Sequence, residues 1–175
     1  EACDGQQLDV HFESRKDVTI DEYINMIRLK TSVLVAAALK MGAIVAETNE
    51  LDANLIYDFG LNLGLAFQLQ DDYLDTFGDA ATFGKQIGGD IIENKKTYLY
   101  LKALEVANEE DKQKLLFFYQ QKLEDNSIKI AEVTLIFELN DMPVLIKDKI
   151  ENYTEKAFNT LSKMSISQEN KENLK

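Results

Sequence analysis

The sequence predicts an all-α protein, a helical bundle with one conspicuous loop. Glycine and proline supply only 8 and 1 of the 175 residues, roughly half their usual share, which leaves few turns for a sandwich or a barrel. Apolar residues recur at helical spacing along most of the chain, and no strand of useful length is recognisable. The length suits one compact domain, so residues 1–175 are predicted to belong to a single domain.

The first half of the chain predicts two long helices after a short one at about Asp4–Glu13. Thr19 followed by Glu22 has the form of a capping box, and apolar spacing then predicts a helix over about Ile20–Ala46. The start of the second long helix is marked by Asn49, a residue that caps helix N-termini well.

The second long helix is predicted to run from Leu51 to about Leu74, with Gly78 offering a left-handed stop. It is apolar nearly all round before Gln68, which indicates a central, buried position. Four of the eight glycines then lie in Gly78–Asn94, so we expect a long loop there. Long ordered loops in compact domains are often functional.

The second half of the chain predicts further amphipathic helices. Their apolar residues follow the helical period, and the only proline can open the last of them. The predicted ranges are Lys95–Ala107, Glu109–Gln121, Ser127–Asn140 and Pro143–Met164.

Charge and cysteine content exclude several classes of protein. The net charge is −12 and only two residues are arginine, so nucleic acid is not an expected partner. The longest apolar stretch, Val33–Leu39, is far too short to insert stably into a membrane. Cys3 is the single cysteine, which fits a reducing compartment, and no leader is recognisable, so a cytoplasmic location is predicted. Both ends look cut, so we expect a piece of a longer protein.

The sharpest local feature is an acidic stripe near the end of the second long helix. Asp71 and Asp75 lie about 40° apart on a helix surface, Asp72 lies between them in sequence, and Gln68 lies about 60° to the other side of Asp71. Carboxylates without a nearby His or Cys suit a hard cation, and Mg²⁺ bridging to phosphate is the natural candidate. The alternative is a solvated acidic turn of an acidic protein.

A glycine-rich loop with lysines follows about ten residues later. Lys85, Lys95 and Lys96 can place a point charge on phosphate oxygens, and the neighbouring glycines allow close approach. An ordinary flexible surface loop is the alternative. Together with the acidic stripe, this loop describes a diphosphate site.

Three weaker signals remain open on spacing alone. Lys30-Thr31 lies among apolar residues, where a lysine commonly extends to solvent. Gln6 and Asp9 share a helix face, which is common and uninformative. His11 and Cys3 have no partners of zinc-site type and are interpreted as structural.

Taken in order, these motifs resemble the carboxyl-terminal half of the trans-type isoprenyl diphosphate synthases, the farnesyl, geranylgeranyl and polyprenyl diphosphate synthase family. The resemblance covers Gly5 to about Leu104 by motif and continues by helical pattern. The matching motifs are Gly5-Gln6-Gln7-Leu8-Asp9, Lys30-Thr31, Phe67-Gln68-x-x-Asp71-Asp72-x-x-Asp75, Gly84-Lys85, Gly89-Asp90 and Asn94-Lys95.

The resemblance implies an isoprenoid-synthase helical bundle that works with Mg²⁺. Asp71 is then expected to bind Mg²⁺, and Asp72 and Asp75 to bind the metal or orient its waters. Gln6 and Asp9 match polar positions on a neighbouring helix near the metal.

The same resemblance implies the reaction and the substrate contacts. An allylic diphosphate ionises, and isopentenyl diphosphate attacks the resulting carbocation. Lys30 and Lys85 resemble the lysines that hold the allylic diphosphate, Lys95 the loop lysine that closes over it, and Asp90 a residue that orders this lid. The oxygens that face the developing cation are expected to be those of Thr31 and Gln68.

The chain also departs from the family pattern. The family has another Asp-Asp-x-x-Asp motif upstream, followed by paired arginines, whereas Asp71-Asp72 is the only adjacent aspartate pair here. We therefore expect little or no synthase activity from this chain alone, and a homodimer for the full-length protein. Two alternatives stay open: a fragment of a class I terpene cyclase, and a non-catalytic helical subunit of the same fold.

Overall fold

The computed structural model describes residues 1–79, 87–121 and 123–174. These residues form helices and connecting turns with no strand among them, which confirms the predicted all-α class. The predicted site residue Lys85 and its neighbour Gly84 lie outside the described residues.

The first predicted long helix contains a break that its apolar pattern does not reveal. Helix α1 spans Ala2–Ser14 and α2 spans Ile20–Ile27, followed by a π-helical turn over Arg28–Ser32 and by α3 over Val33–Val45. The predicted capping box is present: the Glu22 amide donates to Thr19 Oγ1 at 3.2 Å, and the Thr19 amide donates to Glu22 Oε2 at 2.9 Å.

The second long helix, α4, spans Glu50–Phe77. Asn49 caps it as predicted, because its Oδ1 accepts from the Asp52 amide at 2.9 Å. The predicted left-handed stop at Gly78 is wrong, since Gly88 is the one described glycine with positive φ. Glycine is required at 78 for a steric reason: a Cβ there would lie 2.4 Å from the Leu74 carbonyl oxygen.

The predicted loop over Gly78–Asn94 contains a short helix, α5, at Gly89–Ile92. This helix escapes sequence analysis because its four residues are too few to show a period. The later helices match their predicted positions but are mostly shorter: α6 at Tyr98–Val106, α7 at Glu109–Phe118, α8 at Ser127–Leu139 and α9 at Met142–Ser162. A further helix, α10, spans Gln168–Glu172.

The chain divides into two compact units. Unit 1 consists of Glu1–Leu8, Asn25–Gln68 and Lys149–Lys175. Its core joins α4 to the second half of α9, and the Ser165 amide donates to the buried Asp52 carboxylate at 2.9 Å. The buried residues of this core are Ile56, Phe59, Ala157, Leu161 and Met164.

Unit 2 consists of Asp9–Ile24 and Leu69–Asp148. Helix α8 contacts α5, α6 and α7 in this unit. The rings of Tyr100 and Tyr119 stack with their centroids 3.8 Å apart. The fully buried side chains include Leu99, Leu115, Val133, Phe137 and Ile146.

The surface of α3 carries large exposed apolar side chains. Leu34, Met41, Ile44 and Val45 are 57% to 84% exposed, so α3 buries much less than its composition would allow. Even so, none of the helices formed by the described residues is long and apolar enough to cross a bilayer.

Candidate functional site

The aspartate-rich turn of α4 presents its three carboxylates in different environments. Asp71 and Asp75 are half-buried, whereas Asp72 is only 3% exposed. The Asp72 carboxylate accepts a short hydrogen bond from the hydroxyl of Tyr23 on α2. Burial raises the pKa of Tyr23, and the charge of Asp72 raises it further, so the phenol stays a donor.

Asp75 joins this turn to the glycine-rich segment that follows. Its carboxylate accepts from the Asp90 amide at 2.9 Å, at the start of α5, and its carbonyl accepts from the Gly88 amide at 2.6 Å. Gly88 has φ 81°, a conformation that suits glycine. A Cβ at Gly89 would lie 3.0 Å from the Asp75 carboxylate, so the glycines here permit the close approach.

Lys95 lies at the far end of the same segment and faces two carboxylates. Its Nζ is 3.0 Å from Asp90 Oδ1 and 3.1 Å from Glu93 Oε2. Burial lowers the pKa of Lys95, but the hydrogen bonds and charges of Asp90 and Glu93 raise it more, so the net pKa lies above its usual range. The ammonium is therefore charged at neutral pH, and in this structure it is ion-paired with both carboxylates.

The carboxylates around Lys95 repel one another. Burial raises the pKa of Asp75, and the charges of Asp90 and Asp71 raise it further. The hydrogen bond from the Asp90 amide and the charge of Lys95 lower this pKa, but by less. Burial likewise raises the pKa of Asp90, with Asp71 and Glu93 adding to the shift and Lys95 opposing it. Added positive charge is therefore favourable at this turn.

The chemistry of these donors fits Mg²⁺ shared with phosphate. Within 1–79, 87–121 and 123–174, no three His, Cys, Asp or Glu side chains form a ready cation cage. Mg²⁺ does not need such a cage, because it keeps several waters and takes one or two carboxylates together with substrate phosphates. Asp71 and Asp75 suit that role because both are partly exposed, whereas Asp72 is buried against Tyr23.

In unit 1, the predicted Lys30-Thr31 pair lies in the π-helical turn. Single π-turns inside α-helices are frequent at functional sites. Two glycines allow this wider turn to pack closely: a Cβ at Gly5 would lie 2.3 Å from the Lys30 backbone nitrogen, and one at Gly64 would lie 2.6 Å from Ser32 Cα.

The π-turn also contacts the predicted glutamine. The Thr31 hydroxyl donates to Gln68 Oε1 at 3.1 Å, so two side chains 37 residues apart are brought together as the motif pattern suggests. Both residues are half-buried. Their two oxygens are thus held next to each other and are partly shielded from water.

The remaining predicted residues lie on α1. Gln6 is exposed and belongs to unit 1, and Asp9 is half-buried and belongs to unit 2. Asp9 is close enough for its charge to contribute to the raised pKa of Tyr23, to which Asp72 and Asp90 also contribute. The roles assigned to these site residues stay predictions.

Three polar residues near the site make contacts that the sequence did not predict. Tyr23 binds Asp72 from 49 residues away, which no local pattern can reveal. Lys96 Nζ donates to the Phe12 carbonyl at 2.6 Å and to the Glu13 carbonyl at 3.1 Å. Lys129 is fully buried, and the signal that could have found it is its helical spacing from the apolar Val133 and Ile136, at i+4 and i+7.

Comparison with known proteins gives a consistent result. The polyprenyl synthetase family model matches residues 1–136. The chain is 44% identical over 133 residues to a short chain isoprenyl diphosphate synthase of Methanothermobacter thermautotrophicus, covering 74% of this chain and 41% of the relative. It is 43% identical over 113 residues to a geranylgeranyl diphosphate synthase of Sulfolobus acidocaldarius, covering 65% and 34%.

Solved structures agree with the sequence relatives. A crystal structure of a geranylgeranyl pyrophosphate synthase superposes with a TM-score of 0.92 at 50% identity, covering 99% of this chain and 54% of that one. A geranylgeranyl pyrophosphate synthase from Corynebacterium glutamicum, complexed with isoprenyl diphosphate and magnesium, gives 0.90 at 28% identity, covering 99% and 49%. The chain thus spans about one third to just over one half of the length of these proteins. With its matched motifs, its helical fold and these relatives, the chain belongs to the polyprenyl synthetase family.

Proposed function

We propose that this chain supplies the allylic-diphosphate side of a trans-prenyltransferase, which condenses an allylic diphosphate with isopentenyl diphosphate. One observation carries the proposal: in unit 2 the aspartate-rich turn of α4 is hydrogen-bonded through Asp75 to the segment that holds Asp90 and Lys95. Carboxylates for a cation and an ammonium for phosphate oxygens thus lie together, as a diphosphate site requires.

The leaving group is stabilised mainly by positive charge. Departure of diphosphate breaks the allylic carbon–oxygen bond and leaves both electrons on the diphosphate. Lys95 donates hydrogen bonds to its oxygens in this proposal, and the resemblance of their motifs assigns the same role to Lys30 and Lys85. Asp71 and Asp75 would hold Mg²⁺, supported by the buried Asp72, and the metal would neutralise the remaining charge on the diphosphate.

The carbocation needs the opposite environment, a dry surface with oxygen dipoles. Thr31 and Gln68 supply such dipoles, and their mutual hydrogen bond fixes their orientation. The double bond of isopentenyl diphosphate then attacks the cation, a carbon–carbon bond forms, and the new cation loses a proton to an oxygen of the departed diphosphate to give the longer product. Exclusion of water is essential, because water would capture either cation.

We also propose that the chain by itself binds diphosphate but does not complete the condensation. The other aspartate-rich motif and the paired arginines of the family pattern do not occur in its sequence. The homodimer and the cytoplasmic location stay predictions for the full-length protein.

Titration of the chain with inorganic pyrophosphate and Mg²⁺ in a calorimeter tests the binding site. We expect binding that needs both components, and Asp71→Asn should weaken it about tenfold or more. Asp58→Asn is the matched control, because Asp58 is an exposed aspartate on the same helix. Absence of binding to the unmodified chain, or equal losses in both variants, contradicts the proposed site.

Turnover assays separate the remaining alternatives. The chain is incubated with Mg²⁺ and an allylic diphosphate, with and without isopentenyl diphosphate, and we expect no longer prenyl diphosphate from it alone. Substantial condensation would refute the proposed inactivity. Consumption of the allylic diphosphate into a cyclic hydrocarbon without isopentenyl diphosphate would instead support a terpene cyclase.

A further inference from the structure

Lys129 on α8 is a buried cation that the proposed chemistry does not use. Its residue is 0% exposed, and its Nζ lies 2.6 Å from Asn94 Oδ1, 3.3 Å from the Ile92 carbonyl oxygen and 3.3 Å from the Gln121 carbonyl oxygen. The Tyr119 ring centroid is 5.9 Å away. In the described part of the chain, all of its hydrogen-bond acceptors are neutral.

Such a lysine has a cost that its contacts must offset. Removal of an ammonium from water is unfavourable, and burial lowers the pKa of Lys129 accordingly. Its three acceptors match the three donors of an ammonium, so the charged form is fully hydrogen-bonded. An apolar side chain would fill the same volume without this cost, which indicates that the three hydrogen bonds serve to organise their acceptors.

Two of those acceptors belong to the segment that carries the candidate site. Ile92 is the last residue of α5, and Asn94 directly precedes Lys95. Asn94 has φ 59°, a left-handed conformation, and its amide group also donates to the Gln121 carbonyl at 3.2 Å. Its side chain is thus held on both sides while its backbone makes the turn.

This turn sets the position of the site lysine. The Lys95 amide donates to the Asp90 carbonyl at 2.9 Å, immediately after Asn94. Asp75 holds the opposite end of α5 through the Asp90 amide. The segment Gly88–Lys95 is therefore fastened at its start by Asp75 and at its end by Lys129.

We propose that Lys129 is a positioning residue for diphosphate binding. Its ammonium holds Ile92 and Asn94 so that Lys95 and Asp90 keep their places beside the aspartate-rich turn. The inference rests on the proposed function and adds to it a residue that touches neither metal nor substrate.

The test compares Lys129→Met with Lys114→Met in the 175-residue chain. Methionine keeps the length of the side chain but loses the charge and all three hydrogen bonds. Lys114 is the control, because it is a surface lysine paired with Glu110 on α7. Hydrogen exchange is measured without ligand, and binding of Mg²⁺ with inorganic pyrophosphate is measured by calorimetry.

We expect two linked effects in Lys129→Met and neither in the control. The backbone amides of Ile92, Glu93 and Lys95 should exchange at least about tenfold faster, since their turn loses its anchor. Pyrophosphate should bind about tenfold more weakly, because Lys95 is no longer held in place. Unchanged affinity in a folded Lys129→Met variant would overturn the inference.

A second pair of variants decides the question even where Lys129→Met fails to fold. Asn94→Gly allows the left-handed backbone but removes the acceptor for Lys129, so it should weaken binding about as much as Lys129→Met. Asn94→Asp loses the donor to the Gln121 carbonyl but keeps the acceptor for Lys129 and tolerates positive φ, so it should bind pyrophosphate at least about threefold more tightly than Asn94→Gly. Equal affinities of these two variants would overturn the inference.

The outcomes also separate this inference from the function on which it rests. No pyrophosphate binding by the unmodified chain overturns the proposed function and the inference together. Normal binding by the unmodified chain, with no loss in Lys129→Met or Asn94→Gly, leaves the proposed function standing and overturns only the role of Lys129.

Discussion

Asp72 illustrates how one residue of the aspartate-rich turn differs from its neighbours. It is the buried member of the three, and the Tyr23 hydroxyl donates to it from another helix. A buried carboxylate is tolerated only when donors compensate for its lost hydration. Tyr23 therefore contributes to the stability of unit 2, and its hydrogen bond links the aspartate-rich turn to α2.

Replacement of Tyr23 by phenylalanine should destabilise the protein by about 1–3 kcal/mol. The ring still fills its space, but the buried Asp72 carboxylate loses a donor. Urea unfolding followed by circular dichroism measures the free-energy change. Tyr57→Phe is the control, because its half-buried ring contacts Lys40 through the ring face, which phenylalanine retains. Equal stabilities of the two variants would show that the Tyr23 hydroxyl contributes nothing.

The π-helical turn is the element whose geometry is least expected from its sequence. Arg28–Ser32 follows a regular amphipathic helix and precedes an apolar one, and no proline or glycine interrupts it. Its widened backbone is accommodated by glycines on other helices, Gly5 on α1 and Gly64 on α4. The turn is thus a consequence of helix packing as much as of local sequence.

Alanine at two glycine positions should have opposite effects. Gly64→Ala places a methyl group 2.6 Å from Ser32 Cα, so the helices must separate, and we expect a loss of about 1–3 kcal/mol. Gly42→Ala on α3 meets nothing within 4 Å and should stabilise by up to about 1 kcal/mol through helix propensity. Thermal and urea unfolding of both variants test this prediction, and a Gly64→Ala variant as stable as Gly42→Ala would contradict it.

At the level of elements, the helices of this protein were largely predictable. The capping box at Thr19 and the Asn49 cap are local signals, and apolar spacing located most helices to within a few residues. The prediction for Gly78 failed because the Leu74 carbonyl, rather than a positive φ, demands glycine there. Helix α5 was missed because four residues do not establish a period.

The whole molecule carries a large negative charge. Its 31 acidic residues outnumber its 19 basic ones, and the candidate site adds to the imbalance because it gathers several carboxylates. Mutual repulsion of this kind opposes the compact state and is reduced by salt. Stability of the unliganded chain should therefore depend on ionic strength.

An increase in sodium chloride from low to physiological ionic strength should raise the free energy of unfolding by about 1 kcal/mol. The control variant carries Glu151→Gln and Glu155→Gln, which remove two exposed charges from α9. It should begin more stable at low salt and gain less from added salt. A salt response that is absent, or equal in both proteins, would exclude self-repulsion as the cause.

The amino-acid sequence by itself determined the helical class, most helix positions and the motifs that indicate a diphosphate site, because periodicity, caps and residue spacing are local properties. Only the tertiary structure decided that Asp72 is buried on Tyr23, that Thr31 meets Gln68, and that Lys129 holds the turn before Lys95. Those contacts join residues 35 to 49 positions apart, and their energies depend on burial, which no local pattern records.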